Sequence, residues 1–530
     1  MKRLVLVLVC LLAASLVFAS GGSQAAGASS APRPAGMTAS GYPIVTDGSV
    51  TLRYWTEIPA SVSRFIQSYA ENPAYQEMEK RTGIKIEFIH PATGMQQEQF
   101  NLLMASGDLP DLISSADLYR GGEFQGMYDG MFMDLTSFLP QFAPDYLKLI
   151  REDPEFFREV SDDAGRICGF YAYKPMGDPP FTRVILRKDV LAQINQEIPR
   201  LVSDYDSMFA KMLAAGIVPY MPPRNGLVKM FVGMYDVIPG MYQNDRGNIQ
   251  YGQVQTGFRQ YLELMSRWYA AGYISKDFTT LDGNQVNTLF DTKNIGMQIG
   301  PIVANYNRGN TLGFEVTSAP YPRLTLGQQL HHDDVDIWPL NGKGNRMAVI
   351  SAKSRYQEAA VRWFNYAYSP DGIQLMNWGV EGVNYNVVDG KNVYNDVMFK
   401  NPRFGTEEAS YIYKMHFAPK YVLFDTFAHA NLLASPGSLA SRFLWADDPN
   451  VDISLNVPPY QLNMSEQNLR TRVLSEIQTY ADEMTLKFIT GSEPLSRWDA
   501  YVQQINNMGL AELLRSEQTA FDRYLAKRMN

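Results

Sequence analysis

Between residues 51 and 113 the chain alternates short apolar runs with helical stretches closed by glycine. No other feature constrains the fold as strongly. TLRYW at 51–55 reads as a strand ending on an aromatic, and PAYQEMEKRT at 73–82 as a helix stopped by Gly83. Residues 84–89 alternate as a strand. A second amphipathic helix stops at Gly107, and Pro110-Asp111 leads into a short apolar strand at 111–113. Helices end at glycine because it enters the left-handed region without a Cβ penalty, and proline bars continuation. A β-α-β-α-β order implies a parallel sheet with helices on its faces. In such open sheets ligands bind beyond the carboxyl ends of the strands. That rule places Trp55, Glu57, Ser115 and Asp117 at the mouth of any site.

Further along, DAGRICGFY at 163–171 reads as a hairpin turning at Ala164-Gly165, and TRVILRKDVL at 182–191 as a strand running into a helix. Helices are expected at 204–215, before Gly216, and at 253–271, before Gly272. A strand at 295–299 precedes a helix opened by Pro301, and RMAVIS at 346–351 is a strand followed by a helix at 357–368. Three helices close the chain, at 467–490, 496–507 and 510–526. Neither an internal repeat nor a heptad array is visible.

The first residues read as an export signal. Lys2 and Arg3 precede an apolar run, 4–18, and Val17-Phe18-Ala19 is a small-x-small cleavage pattern. The run is shorter than the ~20 apolar residues a membrane span needs. Cleavage after Ala19 is expected, and 20–41, rich in Gly, Ser, Ala and Pro, reads as a flexible linker. Cys10 follows Val9 inside the apolar run, which favours ordinary cleavage over lipidation. Cleavage leaves Cys168 alone, so no internal disulfide is available, and Cys168 reads as a small buried hydrophobe. The net charge of −8 becomes −10 once Lys2 and Arg3 are removed. That balance suits a soluble protein and excludes a basic nucleic-acid surface. The length, 530 residues, calls for two or three domains.

Several phrases resemble, in order, those of bacterial extracellular solute-binding proteins, the capture subunits of ABC importers. They are NLLMASGDLPDLI at 101–113, ISKDF at 274–278, ISAKS at 350–354 followed by EAA at 358–360, WGVEGVNY at 378–385, and KFITG at 487–491 with Trp498 and Tyr501. The last two resemble the larger members, several of which handle oligosaccharides or uronate polymers. The resemblance implies an α/β, two-lobed periplasmic-binding-protein fold (type II-like), with discontinuous lobes joined by a hinge and extra C-terminal helices. The expected division is 42–172 with 335–380 for lobe 1, 183–325 with 385–530 for lobe 2, and 173–182 for the hinge region. It also implies a monomer that captures a small solute, a carbohydrate by preference, and delivers it to ABC permease subunits from a periplasmic or cell-surface location. Some large relatives carry a calcium loop in the second lobe. AAGIVPY at 214–220 lacks the alternating oxygens such a loop needs, so no calcium is expected there.

A sugar site needs flat aromatic faces and a few oriented polar groups. Besides the four residues at the strand mouth, Tyr171, Tyr173 and Arg183 lie at the expected crossing and Trp338 near the return crossing. Within WGVEGVNY, Trp378 and Tyr385 flank Glu381, whose neighbouring glycines also suit a purely structural turn. No metal or other cofactor is expected. His331-His332-Asp333-Asp334 has no partner segment with ligand spacing, and no nucleophile elbow or phosphate loop occurs. The protein is therefore read as a binding protein, not an enzyme. A secreted carbohydrate-active enzyme and a ligand sensor for a receptor are the alternatives, separated by substrate turnover and by loss of uptake.

Overall fold

The computed structural model describes residues 33–173, 182–222, 230–332, 347–415 and 448–529, with a few positions between 437 and 444. The first lobe is built on five strands. β1 (Thr51–Trp55) leads to helix α1 (Pro73–Thr82), β2 (Lys85–Ile89), α2 (Gln96–Ser106) and β3 (Leu112–Ser114). Asn72 caps α1 by accepting from the Ala74 and Tyr75 amides, and Pro73 fills its first position. Gly83 ends it at φ 71°, where a Cβ would lie 1.8 Å from the Val45 carbonyl oxygen. β1 pairs in parallel with β2 and β3, as the alternation requires. Next come α3 (Gly122–Tyr128), α4 (Pro154–Val160) and β4 (Gly169–Tyr171).

The second lobe begins with β5 (Thr182–Arg187), followed by α5 (Val202–Ala214), β6 (Val218–Met221), α6 (Thr256–Ala270), α7 (Gly283–Asp291), β7 (Ile295–Pro301) and β8 (Val316–Thr317). Its sheet runs β8-β5-β7-β6, with β6 parallel to β7 and β5 antiparallel to both neighbours. The chain then returns to the first lobe. β9 (Met347–Ile350) inserts between β3 and β4, antiparallel to each. α9 (Gln357–Tyr366) and α10 (Pro370–Trp378) cover that sheet, and β10 (Tyr385–Val388), β11 (Lys391–Tyr394) and α11 (Thr406–Tyr413) follow. Finally α12 (Met464–Thr490), α13 (Trp498–Asn507) and α14 (Leu510–Ala526) pack on the second core through Ile477, Phe488, Trp498 and Leu513.

Three expectations need correction. The turn at 162–166 forms, with Asp162 accepting from the Ala164 and Arg166 amides, but it does not head a hairpin. Residues 169–171 pair instead with 347–349, because the apolar GFY segment finds its partner in the inserted strand. The linker ends earlier than 41. Met37 is buried in the first core, and the Arg362 guanidinium holds the carbonyls of Thr38 and Gly41 at 2.6 and 2.8 Å. Residues 385–415 pack with the first lobe rather than the second. Ile412 and Met415 belong to its core, and the Asn72 side chain donates to the Tyr411 and Lys414 carbonyls.

Followed through the described residues, the chain passes between lobes three times: between Tyr173 and Thr182, between His332 and Met347, and between Met415 and Asp448. The expected hinge, 173–182, lies almost wholly outside the described residues. β3 and β4 end, and β9 starts, on the edge of the first sheet that adjoins the first two crossings. β6 and β7 end, and β5 starts, on the matching edge of the second. Both sheets thus turn the carboxyl ends of their parallel strands toward the junction.

Candidate functional site

At the end of β3 the backbone turns sharply. Ser115 takes a left-handed conformation, φ 59°, and its amide donates to the Met347 carbonyl. Gly121 and Gly122, both at positive φ, reverse the chain so that α3 starts under the strand end. This brings Asp117 and Glu123 to one wall. The Tyr171 hydroxyl, from the end of β4, donates to Glu123 Oε1 at 3.1 Å. Burial, with the charge of Asp117 nearby, pushes the Glu123 carboxyl up to about 7.

The opposite wall is the start of α12 and the segment before it. Asn463 and Glu466 form a reciprocal capping box, and Gln467, Arg470 and Thr471 occupy the next turn and a half. Arg470 donates from Nε to Glu517 Oε1 at 2.7 Å, makes a second contact with Oε2, and reaches the Tyr460 hydroxyl at 3.2 Å. Between the walls lies a cavity of about 410 Å³, lined by Asp117, Glu123, Gln125, Asp162 and Asp163 from the first lobe and by Gln461, Asn463, Gln467 and Arg470 from the second. A larger hollow of about 660 Å³, around Arg33, Phe138, Lys353 and Tyr356, lies within the first lobe alone. Strand-end geometry therefore selects the smaller, two-walled cavity.

The sequence-predicted residues separate into groups. Asp117 lines the cavity, Tyr171 supports it through Glu123, and Ser115 turns the backbone two residues before Asp117 without lining the cavity. Glu57 is half-buried just past β1. Trp55 is 3% exposed, with its ring edge-on to Phe100. Tyr173 packs on Phe156 and donates to Asp153. Arg183 donates from Nε and Nη2 to the Tyr321 hydroxyl. Trp338 lies outside the described residues. Trp378, Glu381 and Tyr385 fall in a satellite cluster, away from this cavity. Trp378 stacks on Tyr394 at 4.8 Å, Tyr385 is buried beside it, and Glu381 is exposed in the turn. Asn384 fixes that turn, accepting from the Val380 amide and donating to the Trp378 carbonyl. Its side chain leaves no room for a Cβ at Gly379. Asn384→Ala removes both hydrogen bonds and is expected to cost about 2 kcal/mol in a urea melt. A change below about 0.5 kcal/mol would contradict this structural assignment.

Sequence reasoning missed Glu123, Gln467 and Arg470. The Gly121-Gly122 pair ahead of Glu123 was an available signal. Nothing local marks which helix faces α3 across the junction. His331 sits between Asp236 at 3.0 Å and Asp452 at 3.5 Å. His332 is buried against Tyr321, and burial pushes its imidazole well below the ordinary value, so it is neutral. Among the described residues, no group of three or more His, Cys, Asp or Glu could hold a metal. Burial pushes the Cys168 thiol well above its usual range, so it stays protonated.

Two discontinuous α/β lobes, three crossings and a polar cavity walled by both define a two-lobed binding protein of the periplasmic type. The chain belongs to the bacterial extracellular solute-binding protein family, whose model matches residues 65–374. It is similar to the polygalacturonan/rhamnogalacturonan-binding protein YtcQ of Bacillus subtilis, 20% identical over 86% of this chain and 89% of that protein. It is similar too to the fructooligosaccharide ABC transporter substrate-binding protein FusA of Streptococcus pneumoniae, 21% identical over 86% and 87%. Among solved structures, the alginate-binding protein AlgQ2 superposes with a TM-score of 0.69 at 21% identity, covering 90% of this chain and 99% of that one. These likenesses establish the fold. Among the described residues, no helix is long and apolar enough to cross a membrane.

Proposed function

We propose that this protein is the extracytoplasmic solute-binding subunit of an ABC importer, and that it carries an oligosaccharide or sugar derivative as a monomer. The observation that carries the reading is the cavity walled by strand ends of one lobe and the first turns of α12 from the other. A solute touching both walls favours the closed arrangement, and closure is what a permease can recognise. Family membership and the polysaccharide and oligosaccharide for which YtcQ and FusA are named support a carbohydrate.

Among the described lining residues the polar groups are amides, carboxylates, a threonine hydroxyl and the hydroxyls of Tyr128 and Tyr460. Arg470, the cation among them, is already held by Glu517. Such a wall accepts hydroxyl hydrogen bonds and offers no uncommitted positive charge to a uronate. We therefore favour an uncharged, hydroxyl-rich saccharide. Asp117 is the ligand contact we retain first, with Glu57, Ser115 and Arg183 at the surrounding strand ends. Trp55, Tyr171 and Tyr173 act as support.

A thermal-shift screen tests this directly. Neutral fructo-, galacto- and arabino-oligosaccharides are compared with oligogalacturonate and its methyl ester. A true ligand at a hundred times its Kd adds about 2.7 kcal/mol of stability, and the melting temperature rises with concentration. The solute must be recovered intact. Cleavage products would make the protein an enzyme, and a flat response across every sugar would remove the saccharide assignment.

A further inference from the structure

The C-terminal helix begins in the second lobe and ends on the first. Leu510 and Leu513 are buried in the second core. Three turns later Arg523 donates from Nε to Asp163 Oδ2 at 2.9 Å, and from Nη1 and Nη2 to the two Glu466 oxygens at 2.6 and 2.7 Å. Asp163 lines the cavity from the first lobe. Glu466 belongs to the first turn of α12, which forms the opposite wall. One guanidinium thus joins both walls of the site. Its neighbours add to the tie. The Tyr524 hydroxyl donates to Glu155, and Lys527, 7% exposed, donates to the carbonyls of Arg158 and Ser161. Ahead of α12, the Gln461 amide reaches the Glu159 carbonyl at 3.4 Å.

We infer that Arg523 is a positioning residue that sets the separation of the two cavity walls, and that the 523–527 segment is a fourth, non-covalent tie between the lobes. The chemistry suits this role. A planar guanidinium serves two carboxylates at once in fixed directions, whereas a lysine ammonium is a point charge on a flexible stem. With this side of the junction tied, relative motion of the lobes becomes a rotation about the end of α14, and the walls open away from it. The inference stands apart from the identity of the solute.

Hydrogen–deuterium exchange on the ligand-free secreted chain, with small-angle X-ray scattering alongside, tests it. Arg523→Ala is expected to speed amide exchange about tenfold or more in both 161–166 and 463–471. It is also expected to raise the radius of gyration. Asp163→Asn, at a largely exposed side chain, cuts the same bridge without touching α14, so a folding defect in the first variant does not obscure the result. It should release 161–166 and expand the particle in the same sense. Arg523→Lys should protect one wall at most. Faster exchange confined to 510–529, with both walls and the scattering unchanged, would reduce Arg523 to a helix-end contact and overturn the inference. Full protection of both walls by lysine would overturn it as well, because charge alone would then suffice.

Discussion

Arg187→Ala is expected to destabilise the second lobe by about 3–5 kcal/mol, the range for removing one partner of a buried ion pair. The guanidinium is 2% exposed at the end of β5. Its Nε and Nη2 donate to the two Asp189 oxygens at 2.9 and 2.8 Å. Its Nη1 donates to the carbonyls of Phe290 and Asp291 at 2.8 and 2.7 Å, satisfying the C-terminal end of α7. The Phe314 ring lies 3.8 Å below it. Burial raises the Asp189 carboxyl, but hydrogen bonds from Arg187 and Lys293 outweigh that and hold it at about 2. Truncation to alanine leaves a carboxylate with half its support, the Asp291 carbonyl without its donor and a hole beside Phe314. Urea unfolding followed through Trp268, buried in the same core, measures the loss. Arg187→Ala combined with Asp189→Ala should cost clearly less than the sum of the single changes, since the groups act as one unit. Strict additivity would mean that the pair is not coupled and that the loss is one of packing alone.

This arrangement explains why the Arg-Lys-Asp-Val-Leu phrase after β5 stands out in the sequence. It reads locally as a strand entering a helix, and that is what forms. Its arginine, however, works on α7, about a hundred residues away. The same divide runs through the molecule. The stops at Gly83, Gly107, Gly216 and Gly272 were legible because a left-handed residue is a local requirement of the chain. That β1, β2 and β3 share one parallel sheet was legible from the β-α-β-α-β alternation, but their order in it, β2-β1-β3, was not. The insertion of β9 between β3 and β4 was not. Its register with 112–114 and 169–171 depends on an apolar strand returning from the far side of a whole second lobe. WGVEGVNY was conspicuous for its aromatics and glycines, but Trp378 stacks on Tyr394 and Asn384 holds the turn. Asp117 falls on the cavity wall because the strand-end rule is positional. Glu123 and Arg470 were missed because the facing of α3 and α12 is a product of how the lobes dock.

Glu123→Gln is expected to flatten the pH dependence of stability between about pH 5 and 8. The Glu123 carboxyl is pushed from its ordinary 4.5 to about 7, chiefly by burial and partly by the charge of Asp117. The Tyr171 hydroxyl and Lys527 act in the opposite direction without cancelling it. The sign follows from proton uptake. Below about pH 4.5 the group is protonated whether the chain is folded or not, so it changes nothing. Between 4.5 and 7 the folded protein keeps a proton that the unfolded chain releases, and stability falls as pH rises. Above 7 the cost of holding a buried carboxylate is complete, on the order of 2–3 kcal/mol once its partial exposure is allowed for. Glutamine keeps an acceptor for Tyr171 and removes the titration. Parent and variant should therefore unfold alike at pH 5, with the variant ahead by about that amount at pH 8. Lys527, lowered to about 8 chiefly by burial, titrates above Glu123 in both proteins, so the slope of the difference curve below pH 7 reports Glu123. Parallel stability curves across this range would show that the carboxyl is hydrated and charged throughout. A sloping difference would instead mean that near neutral pH this wall of the cavity presents a carboxyl partly in its protonated form, able both to donate to and to accept from a sugar hydroxyl.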